Sequence, residues 1–212
     1  SGAARFDRVQ QGKRDKTEWF LDNRVEFLAK LDAEITAIKK KAKHQTSDNT
    51  PVIRLNGTSD IPFEKFKIRD NKNIFELHPT IQFYDYTKNY IRFEKELPTN
   101  YHLTFSQSED NKDKAIELLS SGVNVAVVFG VKKESDLPTT FKGFKVVNGD
   151  ENDLRFLDEA NVVVGLKYKL LTGKGTKGVN KINVDNNSFI VNVDEVNEEN
   201  KKDKLVDSLL RL

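Results

Sequence analysis

A chain of 212 residues is long enough for one full domain core and a smaller appendage. Its 35 basic and 33 acidic side chains leave a formal net charge of +2, so bulk electrostatics do not make nucleic acid an obligatory partner. Cysteine is absent and only three histidines occur, which excludes disulfides, thiolate nucleophiles, and iron–sulfur clusters or zinc held by cysteine.

His44, His78 and His102 stand in no metal-ligand spacing, so zinc is not expected on histidine and the metals left open are magnesium or manganese on carboxylates. No apolar run approaches the roughly 18 residues that cross a bilayer, and no membrane partner is expected. The first element is an amphipathic helix over 17–43. Phe20, Phe27, Leu28, Leu31, Ile35 and Ile38 recur at steps of three or four, Thr17 suits its N-cap, and Trp19 with Phe20 anchors it in the core. The lysines of "KKKAK" (39–43) read either as cations complementing the helix dipole or as a nucleic-acid contact. The breaker-rich "HQTSDNTP" (44–51) then reads as a linker.

From Pro51 the period changes. "VIRLN" (52–56), "IQFYDY" (81–86), "HLTFS" (102–106), "NVAVVFG" (124–130), "FKVVN" (144–148) and "NVVVGLKYK" (161–169) are short runs of strand formers. Between two of them, Ala115, Ile116, Leu118 and Leu119 form one helix face ended by Gly122. Strand, helix, strand at this spacing indicates βαβ units in sequential order, with "NVAVVF" buried at the centre of a parallel sheet. The expected class is α/β, either an incomplete (β/α) barrel or an open parallel sheet, since six units are too few for a closed barrel. "TGKGTKG" (172–178) reads as a loop in which Lys174 and Lys177 are available to phosphate; its glycines match a dinucleotide fingerprint only weakly. "KINVDNNSFIVNV" (181–193) reads as a β-hairpin, and 196–212 as a short helix with Leu205, Val206, Leu209 and Leu210 inward. The chain thus divides into a helical extension (1–50), an α/β core (51–170) and a C-terminal loop, hairpin and helix (171–212).

In parallel α/β folds ligands bind at the carboxyl ends of the strands. The polar residues expected there are Arg54 and Asn56, Asp85 and Lys88, Thr104 and Ser106, Asp150, Asp153 and Arg155, and Lys167. As a site, Asp85, Asp150 and Asp153 serve as acid, base or metal-holding groups, with the metal on Asp85 and Asp150. Arg54, Asn56, Lys88, Ser106, Arg155 and Lys167 then bind a phosphorylated ligand. As structure alone, Asp150, Glu151 and Asp153 cap a short helix and pair with Arg155, while Asp85 takes Lys88 or Arg54 as partner. Both readings stay open, and Arg54 and Asp60 share the ambiguity because "NGTSD" (56–60) reads equally as a turn.

The stretches "RLNGTSDIP" (54–62), "FYDYTKN" (83–89), "LPTNYHLTFSQSE" (97–109), "NVAVVF" (124–129) and "NGDENDLRFLDEANVVVGLKYK" (148–169) resemble the phage family called gene product eighty-eight. The resemblance covers roughly residues 51 to 170, leaving the N-terminal helix and the C-terminal tail outside. It implies a phage or mobile-element origin and a barrel-like core distantly similar to radical-SAM barrels. Without cysteine, that cluster chemistry is not carried over. The expected function is therefore a phage accessory protein binding a nucleotide or nucleic-acid end at the rim, in the host cytoplasm. The alternative is a non-enzymatic interaction or virion-associated protein, docking on a partner protein or a second copy through its N-terminal helix and C-terminal tail.

Overall fold

The structure, a computed structural model, describes residues 7–43, 51–169 and 189–209. The single helix expected over 17–43 is two, α1 (Asp7–Asp22) and α2 (Arg24–Lys43). Thr17 is no cap: it lies inside α1, its hydroxyl donating to the Lys13 carbonyl at 3.0 Å. Hydrogen bonding of i to i−4 type persists across the junction, where Asn23 N–H donates to the Trp19 carbonyl and the Asn23 carbonyl accepts from Phe27 N–H. The start of α1 was hidden because it has no apolar stripe. Phe20 is its one buried residue.

The six expected strands are present as β1 (Val52–Ile53), β2 (Gln82–Thr87), β3 (Tyr101–Ser106), β4 (Val125–Phe129), β6 (Phe144–Asn148) and β7 (Val163–Lys167). A seventh, β5 (Thr140–Phe141), makes an antiparallel hairpin with β6. The sheet order is β1-β2-β3-β4-β7-β6-β5, with parallel pairing at β1–β2, β3–β4, β4–β7 and β6–β7. It is open, so no barrel closes, and the order is not the sequential one expected. After β4 the chain builds the β5–β6 hairpin first and returns to lay β7 beside β4. Apolarity accounts for the swap: Val163 and Val164 of β7 are fully buried, whereas no residue of β6 is. The more apolar strand takes the inner place. β4 is central as expected, with Val125, Val127 and Phe129 fully buried.

Helical crossovers are fewer than a βα repeat requires. Among the described residues, α4 (Lys112–Ser120) links β3 to β4, and α3 (Ile74–Leu77) is a single turn between β1 and β2. The link from β6 to β7 carries only a 3-10 turn at Arg155–Leu157. α4 buries Ala115 and Leu119 as its spacing predicts and ends at Gly122, whose φ of +99° is the left-handed conformation expected past a helix end.

The chain divides into two compact units. The first comprises Ser1–Ile53, Ile61–Phe83 and Leu97–Tyr101, the second Arg54–Asp60, Tyr84–Glu96 and His102–Leu212. In the first, Phe20 meets Phe27, Phe63 and Phe66 edge to face, half-buried Trp19 packs on Phe27, and Phe75 stacks on Tyr101. In the second, Phe105, Ala115, Leu119, Val125, Val127, Phe129 and Val163 form the core, joined by Phe141 and Val196.

The loop at 172–178 and all of the expected hairpin before Phe189 lie outside the described residues, as do the linker 44–50 and His44. Where the chain resumes, Val191 forms a parallel bridge with Phe129, and α5 (Val193–Leu209) follows. Val206, expected inward, is 53% exposed.

Candidate functional site

The sequence-derived rim residues all belong to the second unit, where they fall into separate bonded groups. The first forms around Asp153. Arg54 Nη1 donates to its Oδ2 at 2.8 Å, and the hydroxyls of Tyr84 and Tyr86 donate to its two oxygens at 3.3 and 3.1 Å. The Arg54 guanidinium also lies 4.7 Å from the Tyr86 ring centroid. Strand alternation places Tyr84 and Tyr86 on one face of β2 and Asp85 on the other. Burial, followed by the charge of Asp153, raises both phenols, so they stay protonated as donors.

Asp85 is fully buried on the face it shares with Phe83, as the two-residue period requires. The partners expected for it were Lys88 or Arg54, and the turn at 56–60 supplies two donors that were not expected. Asn56 holds it, through its backbone N–H at 2.7 Å and its side-chain amide at 3.1 Å. The reason is geometric: the turn at 56–60 brings a rigid two-donor residue against the carboxylate. Ser59 Oγ donates to Asn56 Oδ1 at 2.8 Å, fixing the amide orientation. The same turn delivers Asp60, which accepts from Thr87 Oγ1, Lys88 N–H and Arg92 Nη1. The Lys88 ammonium itself sits 5.5 Å from the Phe189 ring centroid.

Asp150 does not cap a helix. Its carboxylate, 4% exposed, accepts from Lys167 N–H at 2.8 Å and pairs with the Lys169 ammonium. Burial, the largest influence, pushes this carboxyl up, but the bonds and charges of Lys169 and Lys167 together hold it below its ordinary value. Lys167 Nζ pairs with Glu134, which also accepts from Asn148. That bond to Glu134 raises the Lys167 ammonium and lowers Glu134.

Arg155 is 1% exposed and was expected to reach Asp150, Glu151 or Asp153. It turns instead to Asp158, whose Oδ2 lies 3.1 Å from Nη1, and to the Asn152 carbonyl at 2.6 Å. The contact with Asp158 lacks hydrogen-bond alignment, leaving Nε and Nη1 of Arg155 and Oδ2 of Asp158 unsatisfied among the described residues. Burial raises the Asp158 carboxyl despite the opposing Arg155 charge. His102 Nε2 and Thr104 Oγ1 on β3 are likewise buried without a hydrogen bond. Ser106 ends β3 beside Ala126 of β4, and its carbonyl accepts from Asn111.

The structure thus joins Arg54 to Asp153, Asn56 to Asp85 and Asp150 to Lys167. Lys88 lies against Phe189, the Ser106 carbonyl accepts from Asn111 and Arg155 pairs with Asp158, each in a setting of its own. No cluster of three or more histidine, aspartate and glutamate side chains that could hold a metal occurs among the described residues. Tyr84, Tyr86, Glu134 and Asp158 were missed as participants. The tyrosines had left a signal, since their alternation about Asp85 places two hydroxyls on one face.

A family model described as Gene product 88 matches residues 1–183. The match takes in the two N-terminal helices, which the sequence resemblance had left outside, and stops short of α5. No curated protein and no solved structure matches the chain.

Proposed function

The chain belongs to the gene product 88 family, a phage-type family, and on that premise we propose that it is an accessory protein that acts by docking on a partner protein. The observation that carries this reading is α1. It runs for 16 residues, and Phe20 is the one residue of it buried among the described residues. Val9 on α1, and Leu21 with Val25 at its junction with α2, are 37%, 63% and 85% exposed. A helix polar all round gains too little from packing to hold itself, and it needs a surface to lie on. Its four basic and four acidic residues favour a protein over a polyanion as that surface. The test is capture from phage-infected cells with the intact chain, with Leu21→Ser/Val25→Ser, and with Arg54→Gln/Lys167→Gln. The reading expects a stoichiometric partner that the helix variant loses and the rim variant keeps. The opposite pattern overturns it, and light scattering identifies the case in which the partner is a second copy.

The second reading keeps the phosphorylated ligand at the rim, with Asp85, Asp150 and Asp153 as acid, base or metal-holding groups. It is favoured by the exposure of Lys169 at 71% and Asp153 at 49%. It ranks second because the ligand must displace Asp153 from Arg54 and Glu134 from Lys167.

A further inference from the structure

The first unit contains a cationic hollow apart from the rim. Thr36 follows Asp32 by four residues, and Lys39 and Lys40 follow Thr36 by three and four, so they line one stripe of α2. Opposite them stand Arg69 and, just past α3, His78. Thr36, Lys39, Lys40, Arg69, Leu77 and His78 line an open hollow of about 270 Å³.

The hydrogen bonds fix what each group contributes. Asp32 is already engaged by both neighbours, since Arg69 Nε donates to Oδ2 at 2.9 Å and His78 Nε2 lies 2.7 Å from Oδ1. Burial, the largest influence on Asp32, raises its carboxyl, but Arg69 and His78 outweigh it and keep it ionised. An ionised acceptor makes His78 Nε2 the donor, which leaves Nδ1 as a lone-pair acceptor. His78 is 2% exposed, and its Nδ1 is buried with no partner among the described residues. No carboxylate among the described residues pairs with Lys39 or Lys40. Asp70, which also touches Arg69, is 72% exposed and does not line the hollow. Arg69 is engaged by Asp32 and Asp70, which leaves Lys39 and Lys40 as two positive charges without a paired carboxylate among the described residues.

We propose that this hollow is an anion site that takes the phosphoryl group of a phosphate monoester, such as a nucleotide. Charge is the first argument, because two uncompensated positive charges match a monoester near neutrality, whose second pKa is about 6. Size is the second. The hollow lies just under the range of roughly 300–1,000 Å³ that encloses whole ligands, so it fits a phosphoryl group and its adjoining atoms. The third is the donor set. A monoester dianion presents three terminal oxygens to Lys39, Lys40 and the Thr36 hydroxyl, whereas a diester presents two that share a single charge. The dipole at the end of α2 opposes an anion, but it acts as about half a charge against two ammonium groups.

The experiment follows the imidazole resonances of the full-length chain by nuclear magnetic resonance at constant ionic strength held with chloride. Inorganic phosphate, a nucleoside 5′-monophosphate, the parent nucleoside and a dinucleotide diester are titrated in turn. The expected result is a saturable shift of His78 with phosphate and with the monophosphate, while His102 stays still and reports an intact fold. Lys39→Gln/Lys40→Gln should weaken binding by about tenfold or more, and Thr36→Val by less. Lys13→Gln/Lys16→Gln, which removes the same charge from α1, should change nothing. A tighter monophosphate than phosphate identifies a nucleotide-type ligand; equal binding identifies the phosphoryl group alone. No saturable shift of His78, an undiminished shift in the Lys39/Lys40 variant, or equal binding of the nucleoside or diester overturns the proposal.

Discussion

Asp85 shows how a turn holds a buried carboxylate in a parallel sheet. It is fully buried and takes two hydrogen bonds from Asn56, one of them from a backbone N–H that every substitution but proline retains. Asp85→Asn places an amide where an acceptor with two engaged oxygens stood, so a donor faces a donor on one side. Loss of charge-assisted bonds at a buried site costs about 3 kcal/mol. Urea denaturation should show that loss as a lower midpoint with an unchanged slope. A variant as stable as the parent would mean that the carboxylate is not a structural anchor and would return it to the candidate site. Gly149 presents a second residue-scale constraint. A Cβ there would lie 2.5 Å from Val164 Cγ1 and 2.8 Å from Leu166 Cδ2, both on the neighbouring β7. Gly149→Ala should therefore cost about 1–3 kcal/mol through overpacking. The same denaturation measurement checks it, and a neutral result would show that the β6 end shifts freely.

Elements differ in how far their own residues announce them. β4 and β7 were legible because each is a short apolar run buried on both sides of the sheet, and α4 because Ala115 and Leu119 recur at helical spacing. β5 was not, since two residues, Thr140 and Phe141, show no period at all. α1 was missed for a related reason: periodicity reports burial, and α1 buries only Phe20. The place of β7 between β4 and β6 is a competition among strands, which no single segment records. At the candidate site the polar residues near the carboxyl ends were legible, but their partners were not. Arg54 chooses Asp153 across 99 positions, and Lys167 chooses Glu134 across 33, through loops whose course is not periodic. α1 yields a prediction at this scale. Phe20 packs on Phe27, Phe63 and Phe66 and carries the Arg24 guanidinium 5.1 Å from its ring centroid. Phe20→Ala should cost about 3–5 kcal/mol. It should also make the amides of residues 7–18 exchange with solvent faster than those of α2. Equal protection of both helices in the variant would show that α1 has another anchor.

At the scale of the whole molecule, the buried histidines and carboxylates set the response to acid, and each unit carries its own sensor. His78 lies in the first unit and His102 in the second. Burial lowers both; for His78 the opposing bond to Asp32 does not restore the ordinary value, and for His102 the charge of Arg155 adds to the effect. A depressed histidine binds its proton more readily in the unfolded chain, whose value is near 6.5. Stability is therefore whole above about pH 6.5 and falls as the pH drops below it, because the unfolded state gains protons first. Asp32 and Asp150 are depressed carboxylates, so their contribution is present above the ordinary carboxylate value of 3.8 and is lost only in stronger acid. Asp158 acts in the opposite sense, since its raised value lets the folded state take up a proton earlier and offsets part of the acid loss. The two histidine losses thus come first as acid is added. The urea midpoint should decline between pH 7 and pH 5, with the His78 and His102 resonances titrating below the ordinary histidine value of 6.5. His102→Gln should remove the share that belongs to the second unit and leave the His78 titration where it was. A midpoint flat across that interval, or a His78 resonance that titrates at or above 6.5, would show that the folded chain accepts the imidazolium and that neither histidine is held neutral by its surroundings.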